Sequence, residues 1–188
     1  MAIDYRTRKI SVDEYIKMAD VGILEADERV ELLDGEIVLM PPIGQPHNSG
    51  VLRMSDILMA ALRGKALVLV QGSFRLSKFS APQPDFAVLE PSADYYRSEE
   101  IEPRNVLALI EVAQTSLAYD RGKKLHAYAR AGVREYWIFN LPEHCLEVYR
   151  HPNDLGYKDR TVRRLGDTMS FAALPDVEFA VEDLLGPA

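Results

Sequence analysis

One cysteine, Cys145, stands in the whole chain. A lone thiol excludes an internal disulfide framework and a cysteine-rich zinc site. Long apolar runs are missing too. No stretch approaches membrane-spanning length, and Met1-Ala2-Ile3-Asp4-Tyr5-Arg6 lacks the apolar core of a signal peptide. These absences lead to the expectation of a cytoplasmic protein with no membrane partner. No glycine-rich phosphate loop or dinucleotide fingerprint occurs. Positive charge is in deficit: 22 Lys and Arg face 29 Asp and Glu, a formal net charge of −7. That balance argues against a non-specific nucleic-acid coat protein, which would be basic. With no internal repeat and no long linker, residues 1–188 are expected to form a single domain.

What is present suits an ordinary globular protein, with 47% hydrophobic and 27% charged residues, large enough to bury a core. The charge is uneven. Residues 13–36 are rich in acids, while the stretch from Arg121 to Arg164 is basic and could be a solvated surface or face a phosphate backbone. Ser11-Val12-Asp13-Glu14 has the pattern of a capping box opening a short amphipathic helix. Two apolar runs between Arg29 and Met40 flank Asp34-Gly35, the signal for a hairpin closed by a type I′ turn. Apolar residues at Val51, Leu52, Met54, Ile57, Leu58 and Leu62 fall at helical spacing from about His47 to Arg63. Ala66–Val70 reads as a strand, Phe74 and Leu76 as one face of another. Residues 91–105 form a polar loop with a helical turn expected at Ser98–Ile101. Val106–Val112 is apolar enough for a central strand covered on both faces. A helix is expected over Arg121–Ala131, strands over Glu135–Asn140 and Leu146–Tyr149, then short strands within Tyr157–Leu165, Met169–Phe171 and Val177–Val181, and a polar tail. This order predicts an α/β (α+β) domain: a mixed central sheet flanked by helices, with antiparallel hairpins at both ends.

Two strands carry an acid where none is expected. Asp85 follows Pro84 and leads into Phe86-Ala87-Val88-Leu89; Glu111 sits between Ile110 and Val112. Asp85 also reads as a turn residue after proline. Glu111 is harder to explain away, because an unpaired carboxylate in an apolar strand costs several kcal/mol or more. Two such acids on neighbouring strands repel unless a cation lies between them, and a divalent metal is the simplest candidate. Lys124 lies on the apolar face of the following helix with Leu125 and Tyr128, whereas Lys123 turns away by about 100°. A lysine beside a metal points to phosphodiester chemistry. Glu31 is a further candidate, as a third acid or as an exposed hairpin residue. His47 reads as an N-terminal helix contact before it reads as a ligand. Trp137 reads as core, and Cys145 as a poor nucleophile.

Pro84-Asp85, Glu111-Val112 and the run from Asp120 to Trp137 resemble the Uma (Uma-two) family of restriction-endonuclease-like proteins, in the PD-(D/E)XK nuclease superfamily. Glu31–Glu36, Met40-Pro41-Pro42 and His47 resemble that family's amino-terminal signature. The resemblance spans nearly the whole chain and implies a restriction-endonuclease-like core with a mixed sheet of about four strands. It implies that Asp85, Glu111 and the carbonyl of Val112 hold Mg²⁺ or Mn²⁺, with Lys124 beside them for a metal-dependent endonuclease reaction on DNA in a homodimer. The superfamily lysine is expected two residues after the second acid, where this chain has Ala113. In the Uma family it has moved to the next helix, the place of Lys124. The turn Gln114-Thr115-Ser116 lacks the proline usual there. Two other functions stay open: a catalytically silent nuclease fold used for binding or regulation, and a hydrolase of small phosphodiesters.

Overall fold

The computed structural model describes residues 7–25 and 27–186; residues 1–6, read above for a leader, lie outside them. Helix α1 (Val12–Asp20) opens on the expected capping box, with Ser11 and Glu14 exchanging hydrogen bonds. Strands β1 (Val30–Leu33) and β2 (Glu36–Leu39) form the predicted hairpin. Its turn residues Asp34 and Gly35 have φ of 52° and 83°, the two left-handed positions that a type I′ turn requires. Gly35 is also pressed against Lys9, whose Cβ would lie 2.6 Å from any added Cβ.

The main sheet has six strands in the order β3 (Leu67–Val70), β4 (Phe86–Leu89), β5 (Val106–Ala113), β6 (Glu135–Asn140), β7 (Cys145–Asn153) and β8 (Gly156–Arg163). Only the β5–β6 pairing within it is parallel. A parallel pair needs a crossover long enough for a helix. Here the crossover is one helical run: α3 (Leu117–Tyr119), a π-turn (Asp120–Lys124) and α4 (Leu125–Arg130). One face of the sheet packs on α2 (Gln45–Ala61), on the hairpin β9 (Thr168–Phe171)–β10 (Leu174–Ala180) and on α5 (Val181–Leu185). The other packs on α4 and Leu33 of the first hairpin. Trp137, fully buried, stacks on Phe171 with ring centroids 4.2 Å apart.

The mixed α/β sheet with hairpins at both ends is as expected; several details differ. The sheet has six strands where the resemblance implied about four, because β7 and β8 form a long hairpin against β6. Phe74 and Leu76 are buried in alternation with Arg75, yet no strand forms there. A tight Ser77–Ser80 bridge and the donor-less Pro82 and Pro84 leave no ladder to join. The turn expected at Ser98–Ile101 appears instead as a 3-10 turn at Pro103–Asn105. The helix begins at Leu117, four residues early, and contains the π-turn. The polar tail is α5: Val181, Leu184 and Leu185, at i, i+3 and i+4, bury one apolar stripe too short to show a period in sequence.

Candidate active site

The register of two strands brings the acids together. Phe86 of β4 is paired with Ile110 of β5, so Asp85, one residue beyond, falls opposite Glu111. Side chains alternate along a strand, and Glu111 therefore shares the α4 face with Leu109 and Ala113. Because the pairing stops at Phe86, the main chain of Val112 is free to turn to Asp85. Its N–H donates to Asp85 Oδ2 at 2.8 Å. A residue's N–H and C=O leave an extended strand on the same side, so the Val112 carbonyl faces the same way.

The helical run supplies the cation. Lys124 ends the π-turn and Tyr128 follows one turn later. Lys124 Nζ lies 2.8 Å from Glu111 Oε1, and the Tyr128 hydroxyl donates to that oxygen at 2.7 Å. Lys124 also lies 3.4 Å from Glu31 Oε2. Glu31, fully buried on β1, accepts from the Tyr119 hydroxyl and from Gln83 N–H. Asp85 accepts from Gln71 Nε2 at 3.2 Å and faces His47 Nε2 at 3.1 Å, from the first turn of α2. Gly50 lets that helix approach β5 closely, since a Cβ there would meet Val112 at 3.0 Å. Glu31, Asp85, Glu111, Asp120, Lys124 and His47 all line one cavity of about 610 Å³.

Its electrostatics are those of an acid excess around one lysine. Burial pushes Glu111 well above the usual carboxylate range; Lys124 pulls against it, while Asp120, Asp85 and Glu31 add to the rise. Burial likewise outweighs Lys124 and the Ser116 hydrogen bond at Asp120, which is pushed up to about 6. Asp85 goes the other way. Its burial is overcome by His47, the Val112 N–H and Gln71, and it is held below the usual range. Burial alone would depress Lys124, but the charges of Glu111, Glu31 and Asp120 win and keep it protonated.

Among the described residues no group of three or more His, Cys, Asp or Glu side chains gathers as a metal site, so an ion would rest on few protein donors and on water. Mg²⁺ can be held by one or two carboxylates when water completes its shell. Acceptor capacity remains. Glu111 Oε2 takes no hydrogen bond from the described residues, and Asp85 Oδ1 takes one. Asp85, Glu111 and the Val112 carbonyl are thus the residues that would hold it.

The four side chains singled out from sequence, Asp85, Glu111, Lys124 and Glu31, meet at this cavity. Val112 contributes main chain only; its side chain packs into the opposite core. Lys123 is exposed and pairs with Glu36, as its place on the helix indicated. His47, read as a helix contact, sits in the first turn of α2 and also touches Asp85. Sequence reading missed Asp120, Tyr119, Gln71 and Gln83. Asp120 opens the run that resembles the family, but nothing in its surroundings marked it as part of a site; Gln71 and Gln83 lie on irregular chain, where no periodicity marks a side chain's direction. Within the basic stretch from Arg121 to Arg164, Arg121, Lys123, Arg130, Arg150 and Arg160 pair with carboxylates, whereas Arg134, Lys158, Arg163 and Arg164 form no ion pair among the described residues.

The six-strand mixed sheet, its flanking helices and its hairpins have restriction-endonuclease-like structural neighbours. A solved structure of that kind, described as a putative nuclease belonging to DUF820 from Anabaena variabilis ATCC 29413, superposes with a TM-score of 0.71 at 15% identity, covering 94% of this chain and 97% of the other. The type IIG restriction endonuclease BpuSI gives a TM-score of 0.43 at 13% identity, covering 79% of this chain and 17% of the other. The family model Uma2, described as a putative restriction endonuclease, matches residues 12–182. The chain belongs to the Uma2 family. No curated protein matches it.

Proposed function

We propose that the chain is a metal-dependent phosphodiester hydrolase, a nuclease whose substrate is DNA. The observation that supports this most is the meeting of Asp85, Glu111 and Lys124, drawn from three separate elements, at one cavity. A bound Mg²⁺ or Mn²⁺ would supply Lewis acidity toward water and phosphate at neutral pH. Asp85, held ionised by His47, Val112 and Gln71, provides the permanent negative donor. Glu111 provides the second, shared with Lys124 and Tyr128. Lys124 stays charged beneath three carboxylates, so it neutralises charge on the phosphate and does not abstract a proton. Glu31, 3.4 Å from Lys124, helps to align it and is itself fixed by Tyr119 and Gln83. Two copies acting together would be needed to cut both strands of a duplex.

The opposing reading, a nuclease fold that binds without cutting, draws on the Lys124–Glu111 ion pair, which already neutralises one of the two acids. Hydrolysis of bis-p-nitrophenyl phosphate with Mn²⁺ separates the two. Asp85→Asn, Glu111→Gln and Lys124→Met should each lower kcat by on the order of 100-fold or more, as expected for loss of a main electrostatic contribution. Turnover that is absent in the wild type, or unchanged in all three variants, contradicts the hydrolase.

A further inference from the structure

Resting on that hydrolytic reading, we propose that Arg29 is the side chain by which the cavity takes hold of its substrate. Its guanidinium binds a backbone phosphate of DNA at the mouth, above the floor where Asp85, Glu111 and Lys124 lie.

The first hairpin places it there. The β1–β2 register sets Val30 opposite Leu39 and Glu31 opposite Val38. The ladder runs one step further, where the Met40 N–H donates to the Arg29 carbonyl at 2.8 Å. Arg29 and Glu31, two residues apart on this paired chain, therefore share a face, and Val38 and Met40 share it from the other strand. All four line the cavity. Along that face the chain climbs from floor to mouth. Glu31 is 1% exposed and lies 3.4 Å from Lys124. Arg29, about 7 Å further along the strand, is exposed.

Charge gives the guanidinium its task. The cavity is lined by four carboxylates, those of Glu31, Asp85, Glu111 and Asp120, and its lysine and arginine are Lys124 and Arg29. Lys124 is already committed to Glu111 at 2.8 Å and to Glu31 beyond it. Arg29 makes no ion pair among the described residues; one N–H of its guanidinium donates to the Pro41 carbonyl at 2.9 Å. That bond braces the side chain across the hairpin and leaves the rest of its planar fork free. A phosphate nearing an acid-lined cavity is repelled until it meets a cation, and Arg29 is the one it meets at the mouth. The fork also suits two phosphate oxygens at once, which a single ammonium does not.

The test is binding of a labelled DNA duplex of about 20 base pairs, followed by fluorescence anisotropy in Ca²⁺ between about 50 and 200 mM NaCl. Arg29→Ala should weaken binding about ten-fold at the lower salt and reduce the slope of log Kd against log salt by about one, as one lost phosphate contact requires. Arg29→Lys keeps the charge and loses the fork, so it should keep the slope and lose only about three-fold in affinity. Should Arg29→Ala melt below the assay temperature, Arg29→Gln, which can still donate to Pro41, replaces it with the same expectations. A side chain that only braced the hairpin would leave the slope unchanged in every variant, and that result overturns the proposal. So do Arg29→Ala binding as tightly as the wild type, Arg29→Lys matching Arg29→Ala in both affinity and slope, and a wild type that binds no duplex. None of these readouts needs cleavage, so the hydrolytic reading is judged separately by the bis-p-nitrophenyl phosphate assay.

Discussion

Asp120 shows what a buried carboxylate does to stability when its surroundings favour the neutral form. Its folded pKa of about 6 lies above the ordinary value of 3.8. Below pH 4 both folded and unfolded states are protonated and nothing is lost. As pH rises from 4 to 6 the unfolded chain ionises first, so folding loses stability through this group, and the loss is complete above 6. Asp120→Asn removes it: in metal-free buffer the variant should gain on the wild type by on the order of 2 kcal/mol between pH 4 and pH 7. Urea denaturation across that range checks the slope. Glu111 carries the same sign. At this scale the sequence was informative wherever an acid broke an apolar strand, because such a residue must be satisfied or neutralised. It was silent about Asp120, which in a polar run looks like any solvated acid.

Among the elements, the π-turn decides where Lys124 points. A helical run with i→i+5 bonding is unusual and recurs near functional sites. Here its first turn is anchored from outside. Arg121 donates to Glu147, a fully buried glutamate on β7 that also accepts from Asn140, Tyr149 and Arg160. Burial would push Glu147 up, but these donors hold it down to about 2, so its contribution is full above its ordinary value of 4.5 and is lost progressively as pH falls from there through 2. Glu147→Gln should cost about 3 kcal/mol at pH 7, since it leaves two guanidinium groups short of their partner. Thermal denaturation at pH 7 and pH 3 checks this, with the smaller difference at the lower pH. The Asp-Gly hairpin, the capping box and the central strand were all legible, each from a local rule. The π-turn was not, because Asp120-Arg121-Gly122-Lys123-Lys124 reads as ordinary helix. In the fold, Arg121, Lys123 and Lys124 bond outward from it to Glu147, Glu36 and Glu111, contacts that a local reading does not show.

For the whole molecule, the order of elements was enough to predict a mixed sheet, and the resemblance was enough to predict its type. What neither carried was how charge is distributed after folding. Half of the basic stretch became, in the fold, ion pairs that tie the helical run to β7 and to the β1–β2 turn, and neighbouring strands to one another. Four carboxylates instead meet at one cavity, where Glu31, Asp85, Glu111 and Asp120 come from β1, the end of the loop before β4, β5 and the π-turn. Such a convergence lies beyond local rules, since its members are up to 89 positions apart (120 − 31). The described residues include no helix long and apolar enough to cross a membrane.

Whether that acid cavity is a seat for a divalent cation is the point on which the functional reading turns. Thermal denaturation of the wild type and of Asp85→Ala, each titrated with Mn²⁺, tests it directly. A ligand that binds only the folded state stabilises it by about 2.7 kcal/mol at a hundred times its Kd. The wild type should therefore melt at a rising temperature as Mn²⁺ is added, and Asp85→Ala should lose most of that rise. No rise in the wild type, or an equal rise in both proteins, would contradict it.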